Sequence, residues 1–220
     1  MKHVIAINAS PRANWNTATL VREAARGAEA EGAEVEVIDL YKLEKFTGCI
    51  SCFGCKLPAT MGKCVYQDGL APVLEKIRNA DGLILGTPNY LSNVTAGFRS
   101  LYERLIFQSL TYNLEHPNCN EHKIPVLFIM TSNMSEEAYG QDRYQQMIAE
   151  YQGTLSNFVG ATEVMICGNT LQVQDYSRYD WTMFDPEAKK IRREEVFPKE
   201  KEKACSLGAQ MISAPWQQAD

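Results

Sequence analysis

The chain has 220 residues, of which 45% are hydrophobic and 22% are charged, and its formal net charge is -5. This length and composition predict one folded domain over residues 1–220. The negative charge argues against a nucleic-acid partner, and the absence of any apolar run of about 18 residues argues against a membrane span. Residues 1–6 enter a strand pattern directly, without the features of a signal peptide, so we expect a cytoplasmic protein.

Periodic patterns along the chain predict strands that alternate with helices. The predicted strands are residues 4–7, 35–40, 81–86, 124–130 and 162–167, and the predicted helices are 17–30, 70–78, 95–107, 142–158 and 199–212. This alternation predicts an α/β fold, a flavodoxin-like, doubly wound five-stranded parallel sheet with order 2-1-3-4-5. Two segments lie outside the pattern: a cysteine-rich loop at 46–66 and a long, aromatic-rich C-terminal excursion at 170–199.

The loop after the first predicted strand carries four side chains suited to an anion, Ser10, Arg12, Asn16 and Thr17. The loop leads into a helix, whose first N–H groups lack partners and whose dipole favours negative charge. The pattern therefore predicts a phosphate monoester, with an ordinary polar helix cap as the alternative. The loop matches neither G-x-G-x-x-G nor a Walker loop, which disfavours dinucleotides and nucleoside triphosphates.

Two further loops are predicted to complete a crevice at the same edge of the sheet. Strands one and three flank the point where the strand order reverses, so a mononucleotide flavin would lie between them. After the third strand the candidate contacts are Pro88, Asn89, Tyr90, Leu91, Ser92 and Asn93. The backbone there would meet the polar edge of a planar ring, and Tyr90 or Leu91 would cover one face. Ser132, after the fourth strand, is a further candidate, and generic turn loops are the alternative.

Four of the seven cysteines lie close together in the sequence: Cys49, Cys52, Cys55 and Cys64. In a reducing compartment, clustered cysteines are typical of metal-binding or redox-active sites rather than of disulfides. The C-x2-C-x2-C spacing is one that [4Fe-4S] clusters use, which makes these residues candidate iron ligands. Zinc and metal-free thiols are the alternatives, although structural zinc sites usually pair two short knuckles.

The pattern Ser10-Pro11-Arg12-x3-Asn16-Thr17, with Thr87-Pro88-Asn89-Tyr90 and the cysteine run, resembles the NADPH-dependent FMN reductase-like flavoproteins. Within them it looks most like the iron–sulfur flavoproteins. The resemblance covers roughly residues 2–170 and implies FMN, with its phosphate in the first loop and its isoalloxazine ring along residues 88–93. Some positions depart from the family pattern: Ala9 stands where Gly is common, Asn89 where an aliphatic residue is common, and eight residues separate Cys55 from Cys64.

The resemblance implies an FMN-dependent oxidoreductase. It would accept electrons from NAD(P)H or a ferredoxin-like protein and pass them to a small-molecule or protein acceptor, through a [4Fe-4S] cluster if one is present. The flavin would supply the chemistry, so no side chain is expected to act as a catalytic acid or base. The resemblance also implies a homodimer or homotetramer. A non-enzymatic flavodoxin-like electron carrier and a flavin or thiol redox sensor are the alternatives.

Overall fold

A five-stranded parallel sheet lies at the centre of the structure, a computed structural model that describes residues 1–217 except the side chain at position 142. The strands are β1 (His3–Asn8), β2 (Glu34–Asp39), β3 (Gly82–Pro88), β4 (Val126–Thr131) and β5 (Thr162–Cys167). Their order is β2-β1-β3-β4-β5, and every neighbouring pair is parallel. The predicted flavodoxin-like fold class is therefore confirmed.

Six helices connect or follow the strands in the described part of the chain. They are α1 (Asn16–Ala30), α2 (Ala71–Arg78), α3 (Ala96–Ser109), α4 (Asp142–Phe158), α5 (Pro186–Glu195) and α6 (Phe197–Ser213). Helix α5 was not predicted and lies within the predicted excursion at 170–199. Its start is nevertheless strongly marked, because the Asp185 carboxylate accepts the N–H groups of Glu187 and Ala188, and Pro186 follows directly. No helix among residues 1–217 is long and apolar enough to cross a membrane.

The sheet is covered on both faces, as a doubly wound fold requires. On one face, α2, α3 and α4 pack against side chains such as Ile7, Leu85 and Phe128. On the other face, α1 and α6 pack against side chains such as Ile84 and Ile129. Helices α1 and α3 therefore leave the central strands β1 and β3 on opposite sides of the sheet.

Close packing of α1 against α6 depends on two glycines. A Cβ atom placed on Gly27 would lie 1.8 Å from the backbone oxygen of Cys205, and one on Gly208 would lie 1.9 Å from that of Ala24. The two backbones therefore touch where only hydrogen atoms fit between them. Gly153 on α4 is different, because a Cβ atom there would meet nothing within 4 Å.

We expect Gly27→Ala to destabilise the protein by about 1–3 kcal/mol, since α1 and α6 must move apart to admit the methyl group. Gly153→Ala is the matched control and should stabilise by about 0.5–1 kcal/mol, because alanine favours a helix more than glycine does. Urea unfolding midpoints of the two variants and the wild type test this expectation. Equal midpoints for wild type and Gly27→Ala would contradict the close contact.

Candidate functional site

A pocket of about 120 Å³ opens at the carboxyl edge of the sheet, where the strand order reverses. Loops that follow β1, β3, β4 and β5 form its walls. The lining residues are Ser10, Arg12, Trp15, Asn16, Thr17, Pro88, Asn89, Tyr90, Thr131, Ser132, Asn133, Thr170, Leu171 and Gln172. A pocket of about 230 Å³ lies at the opposite edge, beside Asn79 and Ile124. Ligands of doubly wound sheets bind at the carboxyl edge, so the first pocket is the candidate site.

The loop after β1 is shaped by a buried asparagine. The Asn8 side chain accepts the N–H of Ser10 at 3.1 Å and donates to the Asp39 carboxylate at 2.8 Å. The Ser10 hydroxyl in turn accepts the N–H of Arg12 at 3.1 Å. These local bonds turn the chain away from the sheet and place Ser10 and Arg12 on the pocket wall.

The amino terminus of α1 faces the pocket without a side-chain cap. Its cap residue is Trp15, and no side chain of the described residues bonds to the first-turn N–H groups. Asn16 and Thr17, in that first turn, are buried and line the pocket. Free N–H groups and the positive end of the helix dipole together favour an anion at this position.

Arg12 supplies a positive charge at the rim of the same pocket. Its guanidinium lies 4.0 Å from the centre of the Trp15 ring and donates to the backbone oxygen of Gln172 at 2.6 Å. Burial lowers the pKa of Arg12, against the opposing effect of Tyr90 and Tyr179, but an arginine stays charged at neutral pH. The rim is therefore cationic where α1 begins.

The loop after β3 divides into a part that lines the pocket and a part that does not. Pro88, Asn89 and Tyr90 line it, and Asn89 is fixed by donating to the Tyr139 hydroxyl at 2.7 Å. Burial raises the pKa of Tyr90, whose side chain keeps a 46% exposed surface.

The chain then turns sharply through Leu91 and Ser92, both of which have left-handed φ angles of 53° and 68°. Leu91, Ser92 and Asn93 lie outside the lining of the pocket. Leu91 is 99% exposed, and the Asn93 side chain accepts the Tyr151 hydroxyl at 2.8 Å. Their contact with a flavin stays a prediction.

The C-terminal part of the chain contributes residues that sequence reasoning missed. The Leu171 backbone oxygen accepts the Asn16 amide at 2.8 Å and the Trp15 indole N–H at 3.0 Å, and Arg193 donates to the Asn16 side-chain oxygen at 2.7 Å. These contacts join residues more than 150 positions apart, so no local motif marks them. The one available signal was the aromatic composition and length of the excursion at 170–199.

Ser132, in the loop after β4, lines the pocket, and its contact with a flavin stays a prediction. Asn133 beside it is held by a lysine. Lys189 on α5 is 5% exposed, and its ammonium donates to the Asn133 side-chain oxygen at 2.6 Å. Burial lowers the pKa of Lys189 to about 8. Helix α5 therefore supports the far wall of the pocket.

The four clustered cysteines border a second pocket, on the outer side of α3. Cys49, Cys52, Cys55 and Cys64 all line it, with Arg104, Phe107 and Gln108 of α3 among the other lining residues. The cavity has a volume of about 20 Å³. Within residues 1–217, no group of three or more His, Cys, Asp or Glu side chains is arranged to hold a metal ion. The four thiols therefore border one pocket, but they are not arranged around a common metal position.

Helix α3 holds the cysteine segment by its side chains. Glu103 accepts the Cys49 N–H at 3.3 Å, and Gln108 accepts the Cys64 N–H at 3.2 Å. Cys55 is buried, and this burial raises the pKa of its thiol, whereas Cys52 is exposed. Of the other cysteines, Cys167 lies in the core on β5.

Helix α3 also connects the two pockets. Thr95 caps its amino terminus and donates to the backbone oxygen of Ala9, in the loop that shapes the first pocket. Gln108, near its other end, borders the cysteine pocket. At about 1.5 Å per residue, these two positions lie roughly 20 Å apart along the helix axis.

Comparison with known proteins is consistent with this architecture. The family model described as NADPH-dependent FMN reductase matches residues 2–156. An iron-sulfur flavoprotein of Methanocaldococcus jannaschii is 43% identical over 101 residues, which are 46% of this chain and 50% of that protein. An iron-sulfur flavoprotein of Archaeoglobus fulgidus is 35% identical over 103 residues, 46% of this chain and 47% of that protein. The chain thus aligns with about half the length of these curated relatives.

Solved structures share the fold over nearly the whole chain. An NAD(P)H:quinone oxidoreductase from Methanothermobacter marburgensis superposes with a TM-score of 0.67 at 16% identity and covers 96% of each chain. An azoreductase from Bacillus anthracis superposes with a TM-score of 0.66 at 15% identity, covering 96% of this chain and 100% of that one. At this level of identity the likeness establishes the fold alone.

Proposed function

Because the chain belongs to the NADPH-dependent FMN reductase family, we propose that it is an FMN-dependent oxidoreductase that takes electrons from a reduced nicotinamide nucleotide. The observation that carries the proposal is the convergence of loops after β1, β3 and β4 on one pocket at the reversal of strand order. Two loops predicted from sequence as flavin contacts, around Ser10 and around Pro88, meet there.

The chemistry of the pocket fits a flavin mononucleotide. Free N–H groups of α1, with Ser10, Asn16 and Thr17, would hold the phosphate, and Arg12 would balance its charge. Pro88, Asn89 and Tyr90 would border the ring, with Ser132 on the wall that follows β4. We also propose ring contacts through the backbone of Leu91, Ser92 and Asn93. These contacts would require the loop after β3 to lie closer to the pocket than it does in this structure.

The residues of this chain would bind and orient rather than transfer protons. Bound FMN would supply two-electron acceptance from a hydride donor and return of electrons to an acceptor. Asn89, fixed by Tyr139, and Asn133, fixed by Lys189, would limit the positions open to the ring. The half-exposed Tyr90 would keep one side of the pocket accessible to a planar substrate.

Reduction of the bound flavin tests the proposed activity. After loading with FMN under anaerobic conditions, we expect NADPH or NADH to bleach the absorbance near 450 nm in stopped-flow measurements. Bleaching by reduced ferredoxin but by neither nicotinamide would instead identify the chain as an electron carrier. A protein that does not take up FMN would overturn the proposal.

The phosphate site is tested by comparing FMN with riboflavin, which lacks the phosphate. We expect Arg12→Ala to weaken FMN binding about tenfold, because one charge-assisted contact is lost, and to leave riboflavin binding unchanged. Arg26→Ala is the matched control: Arg26 lies on α1, but it pairs with Glu23 and is outside the pocket. Equal weakening of both ligands by Arg12→Ala would argue against phosphate at this loop.

We further propose that Cys49, Cys52, Cys55 and Cys64 hold a [4Fe-4S] cluster. The name of the relatives and the gathering of the four thiols at one pocket support the proposal. The cavity between them has room for little more than a water molecule, so the loop must rearrange to admit a cluster. The exposed Cys52 and Phe53 are free of the core and allow such a change.

Iron content tests the cluster. After anaerobic reconstitution we expect wild type to bind iron and acid-labile sulfide, and Cys52→Ser to lose most of both. Cys205→Ser is the control, since Cys205 lies on α6 away from the cysteine pocket. Iron content that Cys52→Ser leaves unchanged would contradict the proposed ligand set.

Self-association into a homodimer or homotetramer is also proposed. Apolar side chains around the cysteine segment are exposed, among them Ile50 (49%), Phe53 (51%) and Leu57 (59%). Burial of such a patch against another subunit would remove apolar area from water.

A further inference from the structure

Arg104 is a buried cation on α3, with only 1% of its surface exposed. One terminal nitrogen, Nη1, donates to the Asp68 carboxylate at 2.6 Å and to the Thr47 backbone oxygen at 3.4 Å. The other, Nη2, donates to the Tyr66 backbone oxygen at 2.8 Å. These bonds fasten both ends of the cysteine segment to α3.

One donor of Arg104 has no acceptor. Among the buried side-chain nitrogen and oxygen atoms of residues 1–217, Arg104 Nε is the atom without a hydrogen-bond partner. Buried donors are nearly always paired, so an orphaned one in an otherwise well-bonded guanidinium requires an explanation. The ion pair with Asp68 does not provide it, since the ion pair is complete through Nη1.

The surroundings of the guanidinium indicate which acceptor is missing. Arg104 borders the pocket that Cys49, Cys52, Cys55 and Cys64 line. The cysteine sulfurs that line this pocket are therefore acceptors beside the guanidinium.

We propose that Arg104 is a positioning residue whose Nε–H donates a hydrogen bond to a sulfur of the iron–sulfur centre held by the four cysteines. The inference rests on the proposed cluster. Four thiolates give such a centre a net negative charge that grows when an electron is added. A hydrogen bond and a fixed cation therefore stabilise the reduced centre more than the oxidised one, which raises its reduction potential.

Two variants separate this role from a purely structural one. Arg104→Lys keeps a positive charge that can pair with Asp68, but it removes the Nε–H. Asp68→Asn weakens the anchor and leaves the Nε–H in place. If Arg104 only fastened the loop, both variants would lower the stability of the loop. Arg104→Lys would then change the reduction potential no more than Asp68→Asn does.

The experiment is a redox titration of the anaerobically reconstituted protein, followed by the electron paramagnetic resonance signal of the reduced cluster. We expect Arg104→Lys to lower the midpoint potential by about 59 mV, a tenfold change in the one-electron equilibrium. We expect Asp68→Asn to shift it by clearly less. Iron and acid-labile sulfide are measured first on every sample.

A second measurement uses wild type and therefore does not depend on the folding of any variant. With arginine labelled by nitrogen-15 at Nε, the reduced cluster should show a hyperfine coupling to the label, since Arg104 is the arginine that borders this pocket. An unchanged potential in cluster-containing Arg104→Lys, or no coupling in labelled wild type, would overturn the role of Arg104 alone. Wild type without iron and sulfide would overturn the proposed cluster, and this inference with it.

Discussion

The reversal of strand order between β1 and β3 is the constraint on which the candidate site depends. Helix α1 covers one face of the sheet and α3 covers the other. The loops that lead from β1 and β3 into these helices therefore diverge at the carboxyl edge and leave a crevice between them. The base of the crevice is closed by hydrogen bonds: the Ala9 N–H donates to Gly86 at 2.8 Å, and the Ala9 oxygen accepts from Thr95 at 2.9 Å. Gly86 is required there, since a Cβ atom would lie 2.2 Å from the Val21 side chain on α1.

The cysteine segment depends on a different interaction, the buried pair of Arg104 and Asp68. Burying two charges is costly, and removing one partner of such a pair typically costs about 3–5 kcal/mol, because the other charge is then left alone. The pair secures a segment that holds only two short 3-10 turns, Gly54–Lys56 and Pro58–Thr60. Irregular backbone of this length rarely stays ordered without such anchors. Helix α3 thus orders two pockets that share no lining residue.

Local patterns predicted the sheet order and, within two residues, most element bounds. They succeeded because apolar period and turn residues are local properties, as is the Ser10 to Thr17 loop. Helix α5 was missed although Asp185-Pro186 marks its start. Most of its residues are charged, so the sequence shows no apolar period of a helix there. Leu171 and Arg193 were missed for another reason: their contacts with Asn16 arise only when distant segments pack together. The Asp68 carboxylate accepts the Leu70 N–H just before α2, a contact between near neighbours, but its pairing with Arg104 carries no local signal.

The contacts that Asn16 makes with Leu171 and Arg193 tie the anion-binding end of α1 to the C-terminal part of the chain, beyond the residues that match the family model. A ligand that binds only while these contacts are formed stabilises the state in which they are formed. At a concentration 100 times its dissociation constant, that contribution is about 2.7 kcal/mol. For such a ligand, residues 170–195 and the pocket would be thermodynamically linked, and variation in this segment would change ligand affinity without altering a residue of the loop after β1.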